Sequence, residues 1–171
     1  SLGAHALNKF MVEMLPVLKK AGVSIRHQTG VRDEPVVKEA YARAGYDPSC
    51  VTAFINDMPG AYSWADLVLC RAGASTVAEL CGAGVPSILV PYPYAAGDHQ
   101  TGNARALEQA GAAVLFQEKS LSASFLGGTI TGLFGEPDRL AMMSRAALGL
   151  ARCDAASRVA DQIEAVAVKR Q

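Results

Sequence analysis

Apolar residues first recur along the chain at helical spacing. Leu7, Phe10, Met11, Met14, Leu15 and Leu18 share one face, and Gly22 marks the stop. The run "VSIRHQTG" then predicts a short strand. "DEPVVKEAYARAG" predicts a second helix, with Asp33 as N-cap, Pro35 in the first turn and Gly45 as the stop. "VTAFI" reads as a strand, "MPGAYSWA" as a short helix, and "DLVLC" as a strand bounded by Asp66 and Arg71. A helix over "STVAELCGAG" ends in glycines and leads to the strand "PSILVPY". The helix "HQTGNARALEQAG" and the strand "AAVLFQ" follow. Helical stretches near 121–133, 136–149 and 154–168 make a helical tail over about 121–171.

Strand and helix thus alternate, and the strands are near-continuous apolar runs. That pattern belongs to a parallel sheet buried on both faces, with right-handed crossovers. No repeat, low-complexity segment or linker interrupts it, so residues 1–171 read as one α/β domain. In such a fold "SLGA" belongs on a turn that follows a strand. The expectation is that this strand, and more of a parent protein, lies upstream of Ser1.

Composition narrows the class. Of 171 residues, 50% are hydrophobic and 19% charged, which marks an ordered globular chain. Lys plus Arg and Asp plus Glu balance at 16 each, which argues against nucleic acid as the main partner. No stretch reaches the ~20 apolar residues of a membrane span, and no secretory signal is visible. Cys50, Cys70, Cys81 and Cys153 form no CxxC and no metal-ligand spacing. Cys70, in an apolar strand, and Cys81, in a helix, read as buried thiols of a reducing compartment.

Candidate chemistry gathers on turns. In open parallel sheets ligands bind at the carboxyl ends of strands. In "SLGAHALN", Gly3 lets the backbone come close, and a helix start offers N–H groups to a phosphate. A plain N-cap by Ser1 fits that stretch equally well. In "LCRAGASTVAEL", Gly73 is placed to adopt a conformation other residues avoid, and Ser75 and Thr76 can cap the next helix. Thr76 and Glu79 have capping-box spacing. The same carboxylate suits a vicinal diol such as a ribose, although spacing alone favours the cap. In "PYPYAAGDHQTGNA", Asp98 can cap a helix whose first turn gathers His99, Gln100 and Asn103. Amide and imidazole groups there are suited to sugar hydroxyls. Asp57, Asp66 and Asp98 near strand or loop ends are candidate bases, and capping accounts for Asp66 and Asp98 as well. There is no GxxxxGK[ST], no GxSxG elbow, and no metal-ligand spacing among His5, His27 and His99.

Taken together, "SLGA", "FINDM", "ADLVLCRAGASTVAEL", "GVPSILVPYPYAAGDHQTGNA" and "LEQAGAA" closely resemble the C-terminal domain of the bacterial lipid II-forming glycosyltransferases, the MurG family. The resemblance runs in order from Ser1 to about Ala113 and more loosely through the tail. It implies one Rossmann-like half of a GT-B enzyme, an inverting transferase that moves GlcNAc from UDP-GlcNAc onto undecaprenyl-pyrophosphoryl-MurNAc-pentapeptide. It also implies the site. Ser1, in a loop with Gly3, would face the diphosphate, and the Ile55 backbone would hold the uracil. Ala74, Ser75 and Thr76 would line the pyrophosphate and ribose, Glu79 would bind the ribose hydroxyls, and Gln100 with His99 would read the GlcNAc, with Asn103 in support. Arg71 would shape the loop.

No metal and no cofactor are implied, and no catalytic residue is expected within this chain. The family's loop has two glycines before the serine at which this chain starts. The family's N-terminal domain, with the acceptor-lipid site, the membrane-facing surface and a general base, is also outside it. The expectation is therefore donor binding without transfer by this chain alone, at the cytoplasmic face of the bacterial inner membrane. Three alternatives are a stand-alone UDP-sugar-binding subunit, a non-enzymatic UDP-sugar sensor, and another GT-B transferase or UDP-GlcNAc 2-epimerase.

Overall fold

The computed structural model describes residues 2–168, and its elements follow the apolar periodicity. Helix α1 spans Leu2–Lys20, and β1 is the short strand His27–Gln28. Next come α2 (Glu34–Arg43), β2 (Val51–Thr52) and α3 (Met58–Trp64). They are followed by β3 (Val68–Cys70), α4 (Ala74–Ala83), β4 (Ser87–Leu89), α5 (His99–Gln109) and β5 (Ala113–Leu115). Helices α6 (Ala123–Phe134), α7 (Pro137–Gly149) and α8 (Ala155–Val168) form the tail.

All strand pairing is parallel, but it falls into two groups. Strand β1 lies beside β2, with His27 opposite Val51 and Gln28 opposite Thr52. Strands β3, β4 and β5 are neighbours in that order, with Leu69 opposite Ile88 and Ile88 opposite Val114. Among the described residues no ladder joins β1 to β3.

Alternation along β4 shows why the larger group is buried on both faces. Leu89 packs with Leu80, Leu107 and Ala147 from α4, α5 and α7. Its neighbour Ile88 faces the other way, into Met14, Leu18, Leu126 and Leu133 from α1 and α6. A third cluster joins Leu15 of α1 to Val37, Tyr41 and Val51, covering the β1–β2 pair. The amphipathic α8 leaves its apolar stripe exposed: Val159 and Ile163 are 60% and 64% exposed.

Several caps differ from the sequence reading. Asp33 precedes α2 without capping it; its carboxylate accepts from Asn8 and contacts His5 instead. Asp98 precedes α5 with a left-handed backbone, φ 52°, and its carboxylate accepts from the Thr101 hydroxyl at 2.6 Å, not from backbone N–H. Asp66 falls between α3 and β3 and starts no helix. Asp57 does cap with its carboxylate, accepting from Gly60 N–H at 2.9 Å at the start of α3.

Candidate functional site

Parallel strands deliver their following loops to one edge, so the polar turns after β1, β2, β3 and β4 meet there. They border a cavity of about 900 Å³ between the facing edges of β1 and β3. Ile55, Thr76, Glu79 and Gln100 all line it, from four separate parts of the sequence. Ala74 and Ser75, in the first turn of α4, are exposed. Gly3 lies in the first turn of α1, and Ser1 lies outside the described residues.

Two local expectations for the α4 turn are corrected. Gly73 has an ordinary extended backbone, φ −63° and ψ 149°, which other residues also adopt. The helix starts at Ala74, so Ser75 and Thr76 sit inside the first turn and do not cap it. The capping box is therefore not formed, because its hydroxyl residue would have to precede the helix. The first helical bond runs from Val77 N–H to Gly73 C=O. The N–H groups of Ala74, Ser75 and Thr76 thus precede the ladder, at the positive end of the helix.

Glu79 is held by the neighbouring helix α3. Its Oε2 accepts from the hydroxyl of Tyr62, on α3, at 2.9 Å. The Tyr62 ring is 8% exposed and belongs to the core, while its hydroxyl reaches the cavity edge. Burial, then the Glu79 carboxylate, raises the phenol's pKa, so the hydroxyl remains a donor.

The α5 turn is tied to its neighbours. Gln100 Oε1 accepts from Tyr92 N–H at 2.9 Å, which leaves the side-chain NH2 as the group to donate. Asn103 donates to Ala72 C=O at 3.0 Å and braces the loop between β3 and α4. His99 is exposed, outside the cavity lining, with Nδ1 2.6 Å from Ala96 C=O. A carbonyl only accepts, so Nδ1 donates there. Arg71 donates to the carbonyls of Val90 and Pro91 and pairs with Glu118, which fixes the end of β4.

A second polar group, around His27 and Asn8, borders the same cavity. His27 contacts Tyr41 through Nδ1 at 2.9 Å and Asn8 Oδ1 through Nε2 at 3.0 Å. Asn8 donates through Nδ2 to Thr29 C=O and to Asp33, so its Oδ1 must accept. That assigns the proton to His27 Nε2, with Nδ1 accepting from Tyr41. Burial lowers the His27 pKa to about 4, in keeping with a neutral ring.

Sequence reasoning missed Tyr62 and Gln28. Tyr62 carried a signal, since a buried tyrosine requires a partner for its hydroxyl. Gln28 did too, as a polar residue closing a strand at the ligand edge. Among the described residues, no three of His, Cys, Asp and Glu gather as metal ligands.

Residues 1–164 match the family model described as "Glycosyltransferase family 28 C-terminal domain". A relative from Nitratidesulfovibrio vulgaris (strain DP4) is 50% identical over 161 residues, 94% of this chain and 44% of its own length. One from Lawsonia intracellularis is 51% identical over 163 residues, 95% of this chain and 45% of its own length. Both are named UDP-N-acetylglucosamine--N-acetylmuramyl-(pentapeptide) pyrophosphoryl-undecaprenol N-acetylglucosamine transferase. The crystal structure of MurG from Acinetobacter baumannii superposes with a TM-score of 0.80 at 36% identity. That match covers 95% of this chain and 48% of the other. This chain therefore spans less than half the length of the relatives it matches.

Proposed function

The chain belongs to the glycosyltransferase family 28 C-terminal domain family, and on that premise we propose that it is the UDP-GlcNAc-binding part of a GT-B transferase of peptidoglycan synthesis. The complete enzyme carries GlcNAc from UDP-GlcNAc to undecaprenyl-pyrophosphoryl-MurNAc-pentapeptide, the reaction that the relatives' names describe. The observation that carries the reading is that Ile55, Thr76, Glu79 and Gln100, from the loop after β2 and the helices after β3 and β4, all border one cavity.

In this reading each group has work suited to its chemistry. The Ile55 backbone offers an N–H and a C=O to the imide edge of uracil. Glu79, oriented by Tyr62, accepts from the ribose hydroxyls. Gln100 donates to sugar hydroxyls, with His99 beside it. Ser1, Gly3 and the first turn of α4 receive the diphosphate. The acceptor C4 hydroxyl attacks the anomeric carbon and gives its proton to a general base in the part of the enzyme beyond this chain, the bond to the β-phosphate oxygen breaks, and UDP leaves with the electron pair. Charge then builds on the diphosphate. The N–H groups of Ala74, Ser75 and Thr76 are oriented in advance to meet it.

The acceptor is a lipid, so the reaction takes place at a membrane, at its cytoplasmic face in this proposal. No described helix is long and apolar enough to cross one. Contact with membrane and acceptor is assigned to the part of the enzyme beyond this chain.

Calorimetric titration with UDP-GlcNAc, UDP-glucose and ADP tests the reading. The expected result is saturable uridine binding, strongest for UDP-GlcNAc and weakened by Glu79→Ala. Equal binding of ADP, or indifference to Glu79→Ala, would overturn it.

A further inference from the structure

The backbone donor assigned to the uracil is already engaged. Ile55 N–H donates to Oε1 of Gln28 at 2.8 Å. Gln28 closes β1 opposite Thr52, so its side chain reaches the loop that follows β2. Successive strand residues point to opposite faces. His27 therefore turns to Tyr41 and Asn8, while Gln28 is exposed and reaches Ile55; both strand residues border the cavity.

A primary amide and the imide edge of uracil carry the same pair of groups, a carbonyl acceptor beside an N–H donor. We propose that Gln28 is an internal mimic of the base: its carboxamide satisfies Ile55 N–H until a uracil carbonyl displaces it. The proposal rests on the reading of Ile55 as the base contact.

Two consequences follow from exchange chemistry. One N–H···O=C bond breaks as another forms, so the base adds less affinity than a contact to an open donor would. The exchange also sharpens selectivity. A base that turns an amino group toward Ile55 N–H sets donor against donor and leaves Gln28 in place.

The test is a titration of UDP, CDP and inorganic pyrophosphate into the wild-type chain, Gln28→Ala and Gln28→Glu. Removing the competitor should tighten UDP binding roughly two- to tenfold, the worth of one exchanged hydrogen bond. A carboxylate accepts more strongly than an amide, so Gln28→Glu should bind UDP more weakly than wild type. UDP should be preferred to CDP, and pyrophosphate affinity should not change across the three proteins. Gln28→Ala binding UDP no tighter than wild type would overturn the proposal alone, as would an equal shift for pyrophosphate. If the wild-type chain binds pyrophosphate as well as UDP, the Ile55 base reading fails and takes this proposal with it.

Discussion

Tyr62 donates its hydroxyl to Glu79 Oε2 at 2.9 Å and so joins α3 to α4 at the cavity edge. The tyrosine ring is core and the carboxylate is exposed, so a rigid group aims a mobile one. Tyr62→Phe keeps the ring and removes the aim. UDP affinity should fall about three- to tenfold, near the net worth of one ordinary hydrogen bond. Glu79→Ala should cost at least as much, and adding Tyr62→Phe to it should cost little more. Calorimetry on the two single variants and the double variant decides this. Additive losses would show that Tyr62 does not act through Glu79.

His27 sets a pH dependence of stability. Burial lowers its pKa to about 4 from an ordinary value of 6.5. Above 6.5 the ring is neutral in both the folded and unfolded chain, and its contribution is complete. Below that, the unfolded chain takes a proton that the folded chain refuses. Stability is therefore lost as pH falls from 6.5 to about 4, and this loss then levels off. The full loss from this group is about 3 kcal/mol. Urea unfolding across that range should give a steeper slope for wild type than for His27→Gln. The slope difference is the quantity to read, because Asp33, held low by His5 and Asn8, adds acid sensitivity of its own to both. Parallel slopes would refute a neutral buried imidazole.

Gly84 ends α4 in the left-handed region, φ 65°, and a Cβ there would stand 2.6 Å from Leu148 Cγ of α7. Gly84→Ala meets both the backbone penalty and the clash. It should destabilise by about 1–3 kcal/mol. Leu148→Ala removes the clash and leaves the backbone penalty, so the double variant should be more stable than the two single losses predict. Denaturant midpoints of the three proteins measure the coupling.

The four thiols should separate by rate. Cys153 is exposed and Cys81 is buried. Burial pushes the Cys70 thiol up to about 12 and raises those of Cys50 and Cys81 as well. Thiolate is the reactive form. At neutral pH a disulfide reagent should modify Cys153 in a fast phase that Cys153→Ser removes, with the others following on unfolding. A second fast equivalent in the native chain would contradict this order.

Helix positions were legible because periodicity and stop residues agree locally. The α1 stripe, Gly22 at its end, and the three tail helices all follow from side-chain spacing. Strands β3, β4 and β5 were legible as apolar runs, but the pairing of the polar β1 with β2 was not, because pairing joins residues far apart in sequence. Site residues fell the same way. Thr76, Glu79 and Gln100 stood out as polar residues where a strand gives way to a helix. The actual partner of Glu79 is seventeen positions away on α3, and that of Ile55 is twenty-seven away on β1. Capping spacing misled at Thr76 and Asp98, because the backbone entered each helix by a different path from the one assumed.

Helix α1 bridges two groups of strands that carry opposite walls of the cavity, arranged like the leaves of a book. One leaf holds Gln28 and Ile55, the other holds Thr76, Glu79 and Gln100. Helix α1 is the spine, since Leu15 packs with the first leaf while Met14 and Leu18 pack with the second. Its fastening to α6 is close: a Cβ on Gly127 would stand 3.0 Å from Val17 Cγ1. A nucleotide with its base on one leaf and its ribose on the other is then a clasp. Backbone amides of β1 and β3 should gain protection from hydrogen exchange together when UDP binds, and pyrophosphate, which has no base to reach the first leaf, should leave β1 unchanged.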